Sequence, residues 1–211
     1  MEITSMAVGS MGANCYFVWN RKNETVLIDP GADAPRISAQ LKEQGLTPCG
    51  ILLTHGHFDH IGAVAELVKT YRIPVIIGEQ DQEMLGDPQK NASGLIGANI
   101  APCCAQSTVK DGDVFATGGL EFEAIHTPGH TKGSMTYRCG NVLFSGDTLF
   151  MGSVGRTDFY GGDFSALSAS LRRLCALQGN YRILPGHGPE TTLEAERKTN
   201  PFLGANYDSL S

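Results

Sequence analysis

The sequence predicts an α/β protein, a two-layered sandwich of two related halves with at least part of its sheet parallel. Three observations carry this. Short apolar runs rich in Val, Ile and aromatics alternate with segments of helical period as far as residue 78, a β-α-β-α-β rhythm. Two later stretches each place a glycine turn between apolar runs, the mark of hairpins. The two halves also follow one order: strands, a helix, a strand and a histidine-bearing turn.

"ANCYFVW" (13–19) and "ETVLIDPG" (24–31) read as strands stopped by polar or Pro-Gly signals. "APRISAQLKEQG" (34–45) is helical, with Ile37 and Leu41 in phase and Gly45 as its stop. "CGILLT" (49–54) is a buried strand. "HIGAVAELVKTY" (60–71) reads as one helix with Ile61, Val64, Ala65 and Val68 on one face, and "IPVIIG" (73–78) as the next strand. Residues 86–112, rich in Gly, Pro and Asn, are expected to form a long loop or short helical pieces. "DVFATGGLEFEAIHT" (113–127) reads as a hairpin around Gly118-Gly119, and "SMTYRCGNVLFSGD" (134–147) as another around Gly140-Asn141. "DFSALSASLRRLCALQG" (163–179) is a helix capped by Asp163 and stopped by Gly179. "YRILPGHG" (181–188) is a strand entering a turn. "PETTLEAERKTNP" (189–201) is a helix with Pro189 near its start and Pro201 past its end.

The 211 residues are expected to form one domain, 1–211, long enough to bury a core without disulfides or structural metal. The net charge of −6 argues against a nucleic-acid surface. No run of about 18 or more apolar residues marks a membrane span, so no membrane association is expected. The start carries no basic segment followed by an apolar core, which points to the cytoplasm. Cys15, Cys49, Cys103, Cys104, Cys139 and Cys175 form no CxxC pair and read as reduced thiols.

The chemistry gathers at strand ends. "LLTHGHFDHIGAV" (52–64) packs His55, His57, Asp59 and His60 into six positions. His130 sits in "HTPGHTKGS", Asp147 in "LFSGDTLF" and His187 in "ILPGHGPE". Each follows an apolar run and lies in a glycine-containing turn, where α/β sheets assemble their sites. An accidental HxHxDH is expected in roughly two of 10,000 chains of this length and composition. Imidazole and carboxylate suit zinc, iron or manganese. In an extended turn His55 and His57 point to one side, while Asp59 and His60 come about a helical turn later, so one peptide can serve two metals.

In these motifs, "THGHFDH", "GHTKGS", "SGD" and "PGHG" in that order, the chain resembles the metallo-β-lactamase fold superfamily over essentially its whole length. "IDPG" with Asp29 matches a further landmark. The resemblance implies an αββα sandwich, two mixed sheets flanked by helices, with the site at one edge. It further implies two divalent metals, with zinc the first expectation and iron or manganese the alternatives. His55, His57 and His130 would hold the first metal; Asp59, His60 and His187 the second; Asp147 would bridge them. Asp59 would also orient the attacking hydroxide, with general base as its other role. Asp29 is expected behind the ligands, and His126 in a plain strand or supporting role.

Within the superfamily, "SGDTLFMGSVGRTDF" and "HTPGHTKGS" are similar to glyoxalase II. The resemblance implies a hydrolase cleaving a thioester such as S-D-lactoylglutathione, or a related small acyl-thiol, by a metal-bridging hydroxide. Arg156 is then the expected substrate-binding residue and Lys132 a weaker one. Only a short stretch follows His187, so the C-terminal helical region that adds glutathione-binding residues in full-length glyoxalase II has no counterpart. The β-lactamases carry Cys or a rearranged ligand where Asp147 stands, which argues against antibiotic hydrolysis as the main activity. "GRTDF" is shared with persulfide dioxygenases, which would use one iron on His57, His130 and Asp147; hydrolysis of another ester or phosphoester is a further alternative. A purely structural zinc needs only four ligands, fewer than this set offers.

Overall fold

The computed structural model describes residues 1–203, so the expected domain 1–211 runs past the described part. The first sheet holds, in spatial order, β1 (Glu2–Val8), β2 (Ala13–Trp19), β3 (Glu24–Ile28), β4 (Thr47–Leu53), β5 (Val75–Gly78) and β6 (Ser107–Val109). β1, β2 and β3 pair antiparallel, while β3 to β6 run parallel. The crossovers carry α1 (Ala34–Glu43), α2 (Phe58–Ile61) and α3 (Val64–Tyr71), then a 3₁₀ helix, Glu79–Gly86, and α4 (Ser93–Ile96).

The second sheet begins with β7 (Val114–Thr117), β8 (Leu120–His126), β9 (Met135–Cys139) and β10 (Val142–Gly146), an antiparallel meander. A small ribbon of β11 (Leu149–Phe150) and β12 (Ser153–Val154) follows, then α5 (Phe164–Cys175). β13 (Arg182–Pro185) returns parallel to β10, and β14 (Thr191–Thr192) forms the edge before α6 (Leu193–Thr199).

The period-two alternation of the strands sorts side chains into three cores and so into four layers. Phe17, Leu27 and Leu53 face outward onto Ile37 and Leu41 of α1 and Leu67 of α3. Val18, Val26 and Leu52 face inward onto Phe122, Tyr137 and Phe144 of the other sheet. Ile125, Leu143 and Ile183 face out onto Leu167, Leu171 and Leu174 of α5. Each of the fully buried inner aromatics contributes roughly 2–3 kcal/mol by leaving water. The expected αββα sandwich of two mixed sheets is thus the observed one.

Both hairpins turn where expected: Thr117 pairs with Leu120 around two left-handed glycines (φ +54° and +64°), and Cys139 pairs with Val142. Asp163 caps α5, accepting from Ala166 N at 2.7 Å. The helix expected over 60–71 is instead broken. α2 ends at Ile61 and α3 begins at Val64, because Ala63 N–H is diverted to Pro30 O (3.0 Å) rather than to a helical carbonyl; Gly31 lies so close to Gly62 that a Cβ there would meet its carbonyl oxygen. α6 starts at Leu193 rather than near Pro189, since residues 191–192 are taken by β14 and Thr192 supplies the cap. α5 stops at Cys175, short of Gly179. β6 lies inside the stretch expected to be loop or helical pieces, and β1 precedes the first run that reads as a strand in the sequence. The six cysteines are free thiols. Among the described residues no helix is long and apolar enough to cross a membrane.

Candidate metal centre

Four turns that leave β4, β8, β10 and β13 meet at one end of the sandwich. They are held together across it. Asn14 N–H donates to Gly186 O (2.7 Å), Tyr16 hydroxyl to Pro185 O (2.6 Å) and Met135 N–H to Thr54 O (2.8 Å). The buried Tyr137 hydroxyl donates to Leu53 O (3.0 Å).

The turn after β4 is built on Asp29, which is 1% exposed and left-handed at φ +51°. Its carboxylate accepts from Thr54 N–H (2.8 Å) and the Thr54 hydroxyl (2.6 Å), and meets His60 Nδ1 at 3.0 Å. Thr54 Oγ1 in turn lies 3.1 Å from His55 Nδ1. Both imidazoles are therefore fixed from behind, with Nε2 left for the interior, the usual backing of a metal-bound histidine. Asp29, His55 and His60 do bring donor atoms within 4.8 Å of one another, but the Asp29 oxygens are already engaged, so this trio is the support and not a third site. His57 is extended and caps α2, and Asp59 and His60 lie within α2.

Two further trios converge. His55, His57 and His130 bring ring nitrogens within 4.8 Å of one another, as do Asp59, His60 and His187 with their own donors. His57 Nδ1 is 2.8 Å from His130 Nε2, and His130 Nδ1 rests on Arg156 O at 2.8 Å. In the second trio His60 Nε2 is 3.3 Å from His187 Nε2, which is 3.2 Å from Asp59 Oδ2. Asp147 lies between them: Oδ1 is 3.5 Å from His60 Nε2, and Oδ2 is 3.5 Å from His130 Nε2 and 3.7 Å from His187 Nε2. Donors about 2.0–2.1 Å from a tetrahedral cation stand about 3.3 Å apart, close to most of these separations.

Three buried polar atoms here have no hydrogen-bond partner: His55 Nε2, His57 Nε2 and Asp147 Oδ1. Leaving them so costs stability unless something meets them, and a divalent cation is what imidazole and carboxylate lone pairs meet together. The protonation pattern agrees. Burial, then the neighbouring His60 and His130, hold His55 well below the usual imidazole range; burial, then His130 and His60, push His57 down to about 3. Burial also opposes charge on His60, but the Asp147 charge and the Asp29 contact outweigh it and raise His60 to about 10. His187 is raised too: burial is overcome by Asp59 and Asp147. Asp59 is lowered despite its burial, by the His187 hydrogen bond and the His60 charge. His55 and His57 thus offer neutral lone pairs, and the second trio a carboxylate-rich pocket that calls for positive charge, which a metal supplies on displacing protons.

His57, Asp59, His130, Asp147 and His187 floor a cavity of about 310 Å³ whose wall is Met11, Phe58, Ala92, Phe150, Arg156 and Phe159, while His55 and His60 are buried and do not line it. Arg156 stands at its mouth, bound through Nε and a terminal nitrogen to Asp158 (2.6 and 2.7 Å) and stacked 3.8 Å over Phe159. Lys132 does not line this cavity. It is ion-paired with Glu83 and lies 5.2 Å from the Tyr160 ring centre, on a separate depression. His126 ends β8 with Nε2 2.9 Å from Lys132 O, outside both trios.

Sequence reasoning missed Asp81. It is fully buried and accepts from Gly56 N–H (3.0 Å), Gly133 N–H (2.8 Å) and the Thr131 hydroxyl (2.7 Å), tying the His55–His57 turn to the His130 turn. A Cβ on Gly133 would collide with the Asp81 backbone. Nothing in "EQDQE" separates this carboxylate from the polar residues around it; only the fold buries it. Burial raises its pKa, opposed by those three donors. Asp81→Ala orphans the donors and is expected to lower unfolding free energy by about 2–4 kcal/mol, seen as a lower urea midpoint at unchanged slope.

A sandwich of this topology with imidazole and carboxylate clusters at one edge defines a class of metal-dependent hydrolases, and the chain belongs to the metallo-beta-lactamase superfamily, whose family model matches residues 8–187. It is 38% identical over 207 residues to the probable metallo-hydrolase YqgX of Bacillus subtilis, covering 96% of this chain and 98% of that one. It is 33% identical over 210 residues to the hydroxyacylglutathione hydrolase GloC of Haemophilus influenzae, covering 97% and 99%. Among solved structures, the BLEG-1 B3 metallo-beta-lactamase superposes with a TM-score of 0.93 at 40% identity over 97% of this chain and 100% of that one. TTHA1623 in a di-iron-bound form does so with a TM-score of 0.85 at 40% identity, over 95% and 100%.

Proposed function

We propose that this chain is a two-metal thioester hydrolase of the glyoxalase II type. The observation that carries it is the pair of donor trios joined by one carboxylate, with His57, His130, Asp59, His187 and Asp147 opening onto a single cavity. His55, His57 and His130 would hold one metal, Asp59, His60 and His187 the other, and Asp147 would touch both. Zinc suits the set first, and iron or manganese also match its donors. Such a pair supplies, when bound, a water acidic enough to be deprotonated near neutral pH and a Lewis acid for the carbonyl oxygen.

The chain's own residues do the rest. Asp59 keeps an ionised carboxylate on the cavity floor, where it serves as a metal ligand and orients water. The aromatic wall limits water access around the reacting carbonyl. Arg156, at the mouth, faces the thiol end of the substrate; Lys132 is too far round the surface to share that role. Similarity to GloC supports a thioester, while BLEG-1 makes a β-lactam the competing substrate to run alongside.

The test combines metal analysis of the purified protein with thiol release from S-D-lactoylglutathione, β-lactam turnover and oxygen uptake with glutathione persulfide. Two metals per chain with thiol release are expected. One iron per chain with oxygen uptake would replace the hydrolase by a dioxygenase centred on His57, His130 and Asp147.

A further inference from the structure

We propose that this cavity selects thioesters of an apolar acyl chain on a small thiol carrier over hydroxyacyl esters of glutathione. The inference rests on the hydrolase reading above and names its substrate class.

The wall is apolar where a substrate must lie. Phe159 packs edge-on against His57 of the first trio (centroids 5.8 Å apart), and Phe150 edge-on against His187 of the second (6.4 Å). Met11, 56% exposed, forms part of the rim. Apart from the donor trios and Asp147, Arg156 is the one polar side chain in the described lining. An acyl hydroxyl placed against these rings gains no partner from the wall and loses its water, whereas a methylene gains burial.

Glutathione poses a second mismatch. It brings a pair of free carboxylates, and the lining offers one Lys or Arg, already satisfied by both oxygens of Asp158. The nearby Lys132 is held by Glu83. The volume of about 310 Å³ also stands at the small end for ligand sites, enough for a short acyl chain and a compact thiol. The reaction is R–CO–S–R′ + H₂O → R–COO⁻ + R′–SH + H⁺. The water oxygen bonds to the carbonyl carbon, the C–S pair leaves on sulfur, one water proton goes to the thiol and the other to solvent.

The test uses the metal-loaded protein and the acetyl, butyryl and hexanoyl thioesters of N-acetylcysteamine beside S-D-lactoylglutathione. Each buried CH₂ is worth up to about fourfold, so kcat/KM is expected to rise at least tenfold from acetyl to hexanoyl and to exceed that for S-D-lactoylglutathione. Calorimetry with the unreactive thioethers is the second readout: S-hexyl-N-acetylcysteamine is expected to bind at least tenfold tighter than the S-methyl compound. Phe150→Ala is expected to flatten the chain-length slope. Met11→Ser, on the exposed rim and without consequence for folding, is expected to flatten it by a smaller amount. A flat or falling series, equal thioether affinities, or preference for S-D-lactoylglutathione overturns the inference and leaves the hydrolase standing. No thiol release from any thioester by fully metal-loaded protein overturns both.

Discussion

Asp147→Ala is expected to lower metal content from about two per chain to one or fewer, and to reduce thioester hydrolysis by roughly 1000-fold or more, about 4 kcal/mol of transition-state stabilisation. The reason is positional. Asp147 approaches both trios, with Oδ1 toward His60 and Oδ2 toward His130 and His187. Its Oδ1 is buried without a hydrogen-bond partner, so the metal-free protein loses no bond at that atom when the carboxylate goes. The metal-free variant does lose the charge that faces His60 and His187, so its melting temperature should fall below that of the metal-free parent, while metal analysis and turnover fall together. Two metals and full turnover in the variant would remove Asp147 from the bridging role.

Asp29→Ala is expected to act the other way, on the fold as much as on the site. The carboxylate binds the Thr54 amide, the Thr54 hydroxyl and His60 Nδ1 at once, all of them buried. Its removal strands these donors and the charge on His60, a loss of about 3–5 kcal/mol by denaturant titration. Metal affinity of the second trio should fall roughly 10- to 100-fold in a competition with a chelator, because His60 loses the contact that aims it. Asp29→Asn keeps the left-handed backbone at low cost and should recover part of the stability but less of the affinity. If Asp29→Ala bound both metals with parental affinity, the backing role would fall.

Much of this site is legible in the sequence. The histidine turn announces itself because four donor-bearing residues are neighbours in the chain, and the strands before each turn are apolar runs too plain to misread. What escaped is what depends on distant segments touching. The helical period runs unbroken through Gly62, and only the packing of residues 30–31 against it, with Ala63 N–H bonded to Pro30 O, explains why α2 and α3 separate. β1 is half exposed and lacks clean alternation, and β6 is three residues long, so neither presents a pattern to detect. Asp81 looked like one polar residue among several. Lys132 follows His130 by two positions, beside the metal turn in the sequence, but that turn sends its ammonium to Glu83 instead. The two-trio partition needed knowledge of which side chain each turn aims inward, and that came through the motif order rather than through periodicity.

The layout of the trios has a consequence for cooperativity. Each draws two donors from the turn after β4 and a third from the opposite sheet: His130 follows β8, and His187 follows β13. A cation bound at either place rivets one half of the sandwich to the other. Loading the site then resists the parting of the halves in proportion to the logarithm of free metal over its dissociation constant, so a chelator should convert one sharp melting transition into a lower, broader one.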